Sequence, residues 1–314
     1  MTATAAMTRS STRRLATAMA AMVAALAACV PAGVVNVLVP NNGYEVREGL
    51  AYGPAARQVL DVYVPTAAPD NAPVIVFIYG GGWDSGDRAY FRFVGEAFAR
   101  LGYVVVIPDY RLYPEVRFPT FAQDSAGAVR WVRDNIAGMD GDADRIVLMG
   151  HSAGAHIAAL LVTDRRYLQE SGVAPESIRG FVGLAGPYAF NPLEYESTRP
   201  IFAPADDPAE SKPIAFVTGD EPSMLLLHGA DDDTVLPKNS IEMAERVNDA
   251  GGEARLIAYD GVGHIGLILA IAAPFREQDS VYGDITAFLA GLTDRPGSPG
   301  AAAQGTDGTA PLSR

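Results

Sequence analysis

The 314-residue sequence contains a single cysteine and few charged residues. One cysteine cannot form a disulfide within the chain, so the fold must be stabilised by its hydrophobic core. Charged residues make up 19% of the sequence and apolar residues 49%, a balance that argues against wholesale disorder. The length suits one large α/β domain or two small ones.

The sequence also lacks the usual motifs of nucleic-acid, phosphate and metal binding. It has no cluster of Lys and Arg, no glycine-rich phosphate loop and no group of Cys and His at metal-ligand spacing. The formal net charge is −13, and an acidic surface of this kind repels phosphate backbones. We therefore expect no nucleic-acid partner and no metal.

The N-terminal segment has the pattern of an export signal. Residues 8–14 are basic and polar, and residues 15–28 form an apolar stretch that is shorter than the about 20 residues of a membrane-spanning helix. It ends in the sequence LAAC at 26–29, which resembles the bacterial lipoprotein box, where cleavage precedes the cysteine and the thiol is acylated. This predicts export to the bacterial cell envelope and a lipid anchor to a membrane at Cys29. The alternative is an ordinary signal peptide with an incidental cysteine.

The rest of the chain divides by composition into a tether, one domain and a tail. Continuous β-branched runs, such as 73–83 and 104–111, predict strands that are buried on both faces. Stretches at helical spacing lie between them, so the alternation predicts an α/β fold with a mostly parallel sheet and helices on both faces. The predicted organisation is a signal peptide at 1–28, a tether at 29–43, one α/β domain at 44–292 and a disordered tail at 293–314.

A serine motif lies between a predicted strand and a predicted helix. The sequence GHSAG at 150–154 follows the strand 145–150 and opens the apolar helix 153–162. Strand, serine and helix in this order form a nucleophile elbow, a turn so tight that the residues beside the serine must be small. The helix N-terminus also favours developing negative charge. We predict Ser152 as a nucleophile; the alternative is a serine that caps the helix.

A glycine run follows an earlier predicted strand, in the sequence YGGGW at 79–83. Acyl transfer needs backbone N–H groups aimed at the developing oxyanion, and glycine lets the backbone approach a substrate closely. We predict an oxyanion hole formed by the N–H groups of Gly81, Gly82 and Ala153. The alternative is a flexible turn after the strand.

A serine nucleophile needs a general base, and the chain has four histidines. His151 and His156 lie too close to Ser152 in sequence to reach it, and His228 ends a predicted strand. His264 lies in a predicted loop after the last strand, so the order serine, acid, histidine of an α/β-hydrolase is preserved. We predict His264 as the base. The acid lies in the run of three aspartates at 231–233, and spacing alone leaves the choice among them open.

Taken together, the motifs resemble those of a known esterase family. They are YGGGW, DYRLYPEVRFP at 109–119, GHSAGAH at 150–156, HGADDDTV at 228–235 and GVGH at 261–264. Their order is similar to that of α/β-hydrolase esterases related to hormone-sensitive lipase, in the branch with isoprenylcysteine methylesterase and kynurenine formamidase. The resemblance covers residues 44–292. It implies an α/β-hydrolase fold, an acyl-serine intermediate on small to medium esters and no cofactor.

The resemblance also implies which residues act. The family pattern HGxxDxxV places the acid at Asp232 rather than at Asp231 or Asp233, and the oxyanion donors carry over to Gly81, Gly82 and Ala153. One departure is Tyr79, which stands where the family commonly has histidine, so the subgroup and the substrate stay open.

Several alternatives remain at this point. Trp83 and Tyr188 either line a substrate pocket or pack in the core. The same machinery could cut an amide, such as an arylformamide, or the domain could be a catalytically silent binding module. Residues 187–222, rich in Pro, Asp and aromatics, predict a small cap excursion, whose acidic character disfavours an interfacial lipase. The oligomeric state is not predicted.

Overall fold

The computed structural model describes residues 35–67, 69–205, 207–276 and 280–293. The predicted signal peptide, Cys29 and the predicted tail after residue 293 lie outside these ranges. Within the predicted tether, residues 36–38 form a 3-10 turn, and the flanking Val35 and Val39 are buried.

Eight strands form one sheet. They are β1 Tyr44–Ala51, β2 Val59–Pro65, β3 Ala72–Ile78, β4 Val104–Pro108, β5 Gly141–His151, β6 Ile178–Leu184, β7 Met224–Gly229 and β8 Ala254–Tyr259. The strand order is β1-β2-β4-β3-β5-β6-β7-β8. β1 and β2 are antiparallel to their neighbours, and all other pairs are parallel. The predicted mostly parallel sheet is confirmed.

Eight helices accompany the sheet in the described ranges. They are α1 Arg92–Ala99, α2 Thr120–Asn135, α3 Ala153–Thr163, α4 Arg166–Glu170, α5 Arg199–Phe202, α6 Lys238–Asp249, α7 His264–Leu269 and α8 Val281–Thr293. Every residue of α3 is buried, which explains why its sequence is apolar on all sides rather than amphipathic. This helix packs on β5 and β6, in the middle of the molecule.

One region differs from the sequence-based expectation, and another has detail that was not predicted. The predicted loop around His264 is instead the start of α7, whose Leu267, Ile268 and Leu269 are buried. A helix of six residues is too short for its periodicity to be recognised in the sequence. The excursion at 187–222 contains α5 and 3-10 turns at 192–194, 208–211 and 213–216.

The topology brings four loops to one edge of the sheet. The glycine run follows β3, Ser152 follows β5, the aspartates follow β7 and His264 follows β8. Because these strands are parallel, their carboxyl ends lie at the same edge, which is where open α/β sheets bind ligands.

Candidate active site

The turn at Ser152 is strained and tightly enclosed. Ser152 has φ 55° and ψ −123°, a conformation that non-glycine residues rarely adopt. Its N–H donates to the Leu184 carbonyl at 2.9 Å. A Cβ at Gly150 would lie 2.5 Å from the Gly154 carbonyl oxygen, and one at Gly154 would collide with the Ile78 carbonyl. The small residues of the motif are therefore required by the close approach of β5, α3 and β3.

A chain of hydrogen bonds joins three of the predicted residues. Ser152 Oγ lies 2.8 Å from His264 Nε2, and His264 Nδ1 lies 2.7 Å from Asp232 Oδ2. Because an ionised carboxylate only accepts hydrogen bonds, Nδ1–H donates to Asp232, and Nε2 is left free to accept the serine proton. Asp232 and His264 are buried, whereas Ser152 is half-buried and borders a cavity.

The aspartate run resolves into one buried and two exposed side chains. Asp232 is 3% exposed, whereas Asp231 and Asp233 are exposed to solvent. The second oxygen of Asp232, Oδ1, accepts the N–H groups of Thr234 at 3.0 Å and Val235 at 2.9 Å. These bonds fix the carboxylate plane, so that its other oxygen faces His264.

His228 is a second histidine beside Asp232, and the sequence analysis gave it no role. Its Nε2 lies 2.8 Å from the Val235 carbonyl oxygen and 3.4 Å from Asp232 Oδ2, and its Nδ1 lies 2.7 Å from Ser240 Oγ. Burial raises the pKa of Asp232, but hydrogen bonds from His228, His264 and the Val235 N–H outweigh it and hold that pKa well below its usual range. The carboxylate is therefore ionised at neutral pH.

His151 and His156 contact other parts of the structure, as their sequence positions suggested. His151 Nε2 donates to the His264 carbonyl at 3.2 Å, and the two imidazole centroids are 4.7 Å apart. Burial, followed by repulsion from His264, lowers the pKa of His151 to about 3. His156 Nε2 donates to the Ser211 carbonyl at 2.7 Å, and burial lowers the pKa of His156 to about 4. Both imidazoles are neutral at pH 7.

The glycine turn lies against the serine. Gly81 and Gly82 have φ of 137° and 60°, which glycine adopts without steric cost. A Cβ at Gly80 would lie 2.8 Å from Ser152 Cβ. Gly82 and Ala153 border the cavity together with Ser152, whereas Gly81 is not among the described residues that line it. No partner is recorded in the described ranges for the N–H groups of Gly82 and Ala153.

Tyr79 anchors this turn from behind. Its hydroxyl donates to Asp109 Oδ1 at 2.6 Å and accepts from Arg57 Nη2 at 2.7 Å, and Arg88 Nη1 contacts the other oxygen of Asp109 at 2.5 Å. Tyr110 donates its hydroxyl to the Tyr79 carbonyl at 3.0 Å. Tyr79 is therefore held firmly, and it does not border the cavity among the described residues.

The cavity above Ser152 has a volume of about 610 Å³, a size that accommodates a small organic ligand. Trp83 borders it and stacks on Phe190, with ring centroids 5.8 Å apart. Tyr188 is fully buried and packs edge-on against Phe181, so it belongs to the core.

The described ranges contain no group of three or more His, Cys, Asp or Glu side chains that is placed to hold a metal ion. None of their helices is long and apolar enough to cross a membrane.

Comparison with known proteins gives a family match and several relatives. The family model BD-FAE matches residues 60–247. A probable isoprenylcysteine alpha-carbonyl methylesterase of Arabidopsis thaliana is 29% identical over 271 residues, which cover 78% of this chain and 56% of the relative. Esterase LipQ of Mycobacterium tuberculosis is 30% identical over 262 residues, which cover 76% of this chain and 61% of the relative. The chain thus spans 56% and 61% of the length of these two relatives.

Solved structures give the same result for the fold. Thermogutta terrifontis esterase 2 with bound propionate is 26% identical, with a TM-score of 0.66, and the match covers 81% of this chain and 96% of that chain. Esterase B of Lactobacillus rhamnosis, at 20% identity and a TM-score of 0.73, shares the fold. The BD-FAE match extends over more than half of the 314 residues. The chain therefore belongs to the α/β-hydrolase carboxylesterase family, in the group that the BD-FAE model describes.

Proposed function

We propose that the chain is a serine hydrolase that cleaves small to medium carboxylic esters through an acyl-serine intermediate. The observation that carries this proposal is the relay from Ser152 Oγ to His264 at 2.8 Å and from His264 to Asp232 at 2.7 Å, at the base of an open cavity. A hydroxyl in such a relay can lose its proton as it attacks, which is the requirement for nucleophilic catalysis.

The proposed reaction proceeds in two halves. His264 Nε2 takes the Ser152 proton while Oγ bonds to the ester carbonyl carbon, and Asp232 stabilises the resulting imidazolium. The N–H groups of Gly81, Gly82 and Ala153 stabilise the oxyanion. His264 then protonates the departing alcohol, which leaves an acyl-serine. Water attacks this ester with His264 as base, and the acid and free Ser152 are released.

The relatives support esters rather than amides as substrates. The relatives and structures described above are named as esterases, and one structure of Thermogutta terrifontis esterase 2 is described as phosphorylated by paraoxon. Another contains propionate, a short acyl group. We therefore place short-chain esters first. Matched ester and amide substrates with the same acyl group would distinguish this from the amidase alternative, which requires the amide to be cleaved at least as fast.

Labelling with a fluorophosphonate probe tests the proposed nucleophile. The intact protein should be labelled, and Ser152→Ala should abolish labelling and lower kcat by on the order of 10⁶-fold, because no other hydroxyl shares the relay. Ser171→Ala, at the end of α4, is the matched control and should be labelled normally. Labelling that survives Ser152→Ala would show that another residue is the nucleophile. An unlabelled, inactive intact protein would support a silent binding module.

We also propose that the chain is exported and anchored to the bacterial envelope through a lipid on Cys29. Support comes from the basic and apolar segments at 8–28 and from the position of the single cysteine directly after them. In a bacterial host, the intact chain should incorporate labelled palmitate and partition into a detergent phase. Cys29→Ser should do neither and should remain uncleaved or soluble. Equal labelling of both chains would contradict the anchor.

A further inference from the structure

The cavity above Ser152 contains both lysines of the chain. Among 24 basic residues, only Lys212 and Lys238 are lysine, and the remainder are arginine. Both lysines line the same cavity as Ser152, although their sequence positions belong to different elements. The placement of both lysine ammonium groups in the lining of the cavity that contains the proposed nucleophile points to a role in the site.

Neither lysine has a carboxylate partner recorded in the part of the chain that the structure describes. Every ion pair recorded among the described residues uses arginine or histidine as its cation. Lys212 and Lys238 have no recorded side-chain hydrogen bond in those ranges either. Lys212 is a half-buried residue, and no counter-charge to its ammonium is recorded in the described ranges. An anion bound in the cavity would supply that counter-charge.

The backbone beside Lys212 is fixed relative to the nucleophile. Ser211 is fully buried, and its carbonyl accepts the His156 Nε2–H at 2.7 Å. His156 belongs to α3, the helix that begins directly after Ser152. The Lys212 N–H donates to the Ala209 carbonyl at 3.0 Å, which orders the turn before it. The lysine therefore projects from a segment that is tied to the same helix as the proposed nucleophile.

Lys238 is the second cation of the cavity lining, and it lies at a helix end that disfavours positive charge. It is the first residue of α6, where the helix dipole disfavours a cation, and no side chain caps this end. Glu242 lies one turn further along, but the order lysine before glutamate is the weaker one in a helix, and no ion pair is recorded between them. Lys238 is exposed, so water screens its charge as it screens any exposed carboxylate of the lining, and we assign the binding contact to Lys212 alone.

Three carboxylates also border the cavity, but in more hydrated positions. Glu194, Asp233 and Glu242 are all exposed, and Glu194 accepts a hydrogen bond from the Asn191 amide at 3.0 Å. Charges in water interact weakly with a ligand, whereas a half-buried charge interacts more strongly. Lys212 is half-buried, so it is the least exposed charged residue of this cavity lining.

We propose that the cavity selects esters that carry a free carboxylate, which the Lys212 ammonium binds while Ser152 attacks the ester bond. This inference rests on the proposed ester hydrolysis and specifies its substrate class. A lysine ammonium is a compact charge on a flexible stem, and it can follow a carboxylate on substrates of somewhat different length.

Three matched 4-nitrophenyl esters test the proposal. They are mono-4-nitrophenyl glutarate, its neutral methyl ester, and 4-nitrophenyl 4-(trimethylammonio)butanoate. We expect the anionic ester to have the highest kcat/KM, mainly through a lower KM. In Lys212→Met, the ratio of kcat/KM for the anionic ester to that for the neutral ester should fall by about tenfold or more, since a charge-assisted bond is lost. Added salt should lower the ratio in the intact protein.

Arg255→Met is the control for loss of a positive charge. Arg255 lies on β8, and its side chain is 64% exposed. In Arg255→Met, the ratio of kcat/KM for the anionic ester to that for the neutral ester should equal the ratio in the intact protein. The inference would be overturned if this kcat/KM ratio were near one in the intact protein or were unaffected by Lys212→Met. Labelling of Ser152 in the same protein would still uphold the proposed function. A preference for the cationic ester would also overturn the inference, in favour of the three rim carboxylates. Absence of both labelling and turnover would refute both proposals.

Discussion

At the scale of single residues, Asp232 differs from its two neighbours in the bonds that it accepts. It is buried and takes four donors, whereas Asp231 and Asp233 face solvent. Asp232→Asn keeps the shape but removes the charge that holds His264 in the tautomer needed for proton transfer. We expect kcat on a 4-nitrophenyl ester to fall by roughly 10⁴-fold at pH 7, as for the same exchange in serine proteases.

The matched control for this change is Asp231→Asn, an exposed aspartate one residue earlier. Its kcat should stay close to that of the intact protein. If Asp231→Asn loses activity and Asp232→Asn retains it, the acid has been assigned to the wrong residue.

The three relay residues were predictable from the sequence, but their supporting residues were not. The motif around Ser152, the chain order and the family spacing identified Ser152, Asp232 and His264. The bond from His151 to the His264 carbonyl joins residues 113 positions apart, and no local pattern indicates such a contact. For His228, the four-residue spacing to Asp232 was visible within HGADDDTV, but its contact with the carboxylate required the folded turn.

At the scale of elements, long buried strands and helices were predicted correctly, and short pieces were not. The runs that became β3, β4 and α3 are continuously apolar because each is buried on all sides. The helix α7 has six residues, which is less than two turns. Its sequence therefore contains no repeat that could be recognised.

The excursion at 187–222 was predicted, but its internal structure was not. Its 3-10 turns at 192–194, 208–211 and 213–216 each begin with proline, which sets the backbone locally but gives no periodic pattern. The bond from His156 to Ser211, 55 residues away, ties the excursion to α3. The walls of the cavity therefore depend on long-range contacts, and the substrate class was correspondingly hard to infer from the sequence.

At the scale of the whole molecule, one sheet brings together residues that lie more than 180 positions apart in the chain. The glycine turn after β3 and His264 after β8 meet at the carboxyl edge because both strands are parallel members of the same sheet. The edge strand β1 and its neighbour β2, which is antiparallel to both β1 and β4, lie on the far side of β4 from this group. The site thus depends on the parallel strands from β3 to β8.

Two buried neutral histidines make the stability of this assembly depend on pH. The pKa of His151 is about 3 and that of His156 about 4 in the folded chain, in both cases because burial disfavours the charged form. In the unfolded chain each pKa returns to roughly 6.5. At a pH between the folded and the unfolded pKa, the unfolded chain binds more protons than the folded chain. A lower pH therefore favours unfolding. Their full contribution is present above about pH 7 and is lost as the pH falls from about 6.5 towards 4 for His156 and towards 3 for His151.

Urea unfolding at pH 7, 6 and 5 measures this effect, and His156→Gln isolates one of the two groups. Glutamine retains an N–H donor for the Ser211 carbonyl but does not titrate. The free energy of unfolding should be lower in the variant at pH 7, because packing around the ring is lost. Its slope with pH between 6 and 5 should be shallower by up to about 1.4 kcal/mol per pH unit, the value of one proton. An unchanged slope would mean that His156 is already protonated in the folded chain. In that case the His156–Ser211 bond would be charge-assisted, and the excursion that carries Lys212 would be held by a cation rather than by a neutral donor.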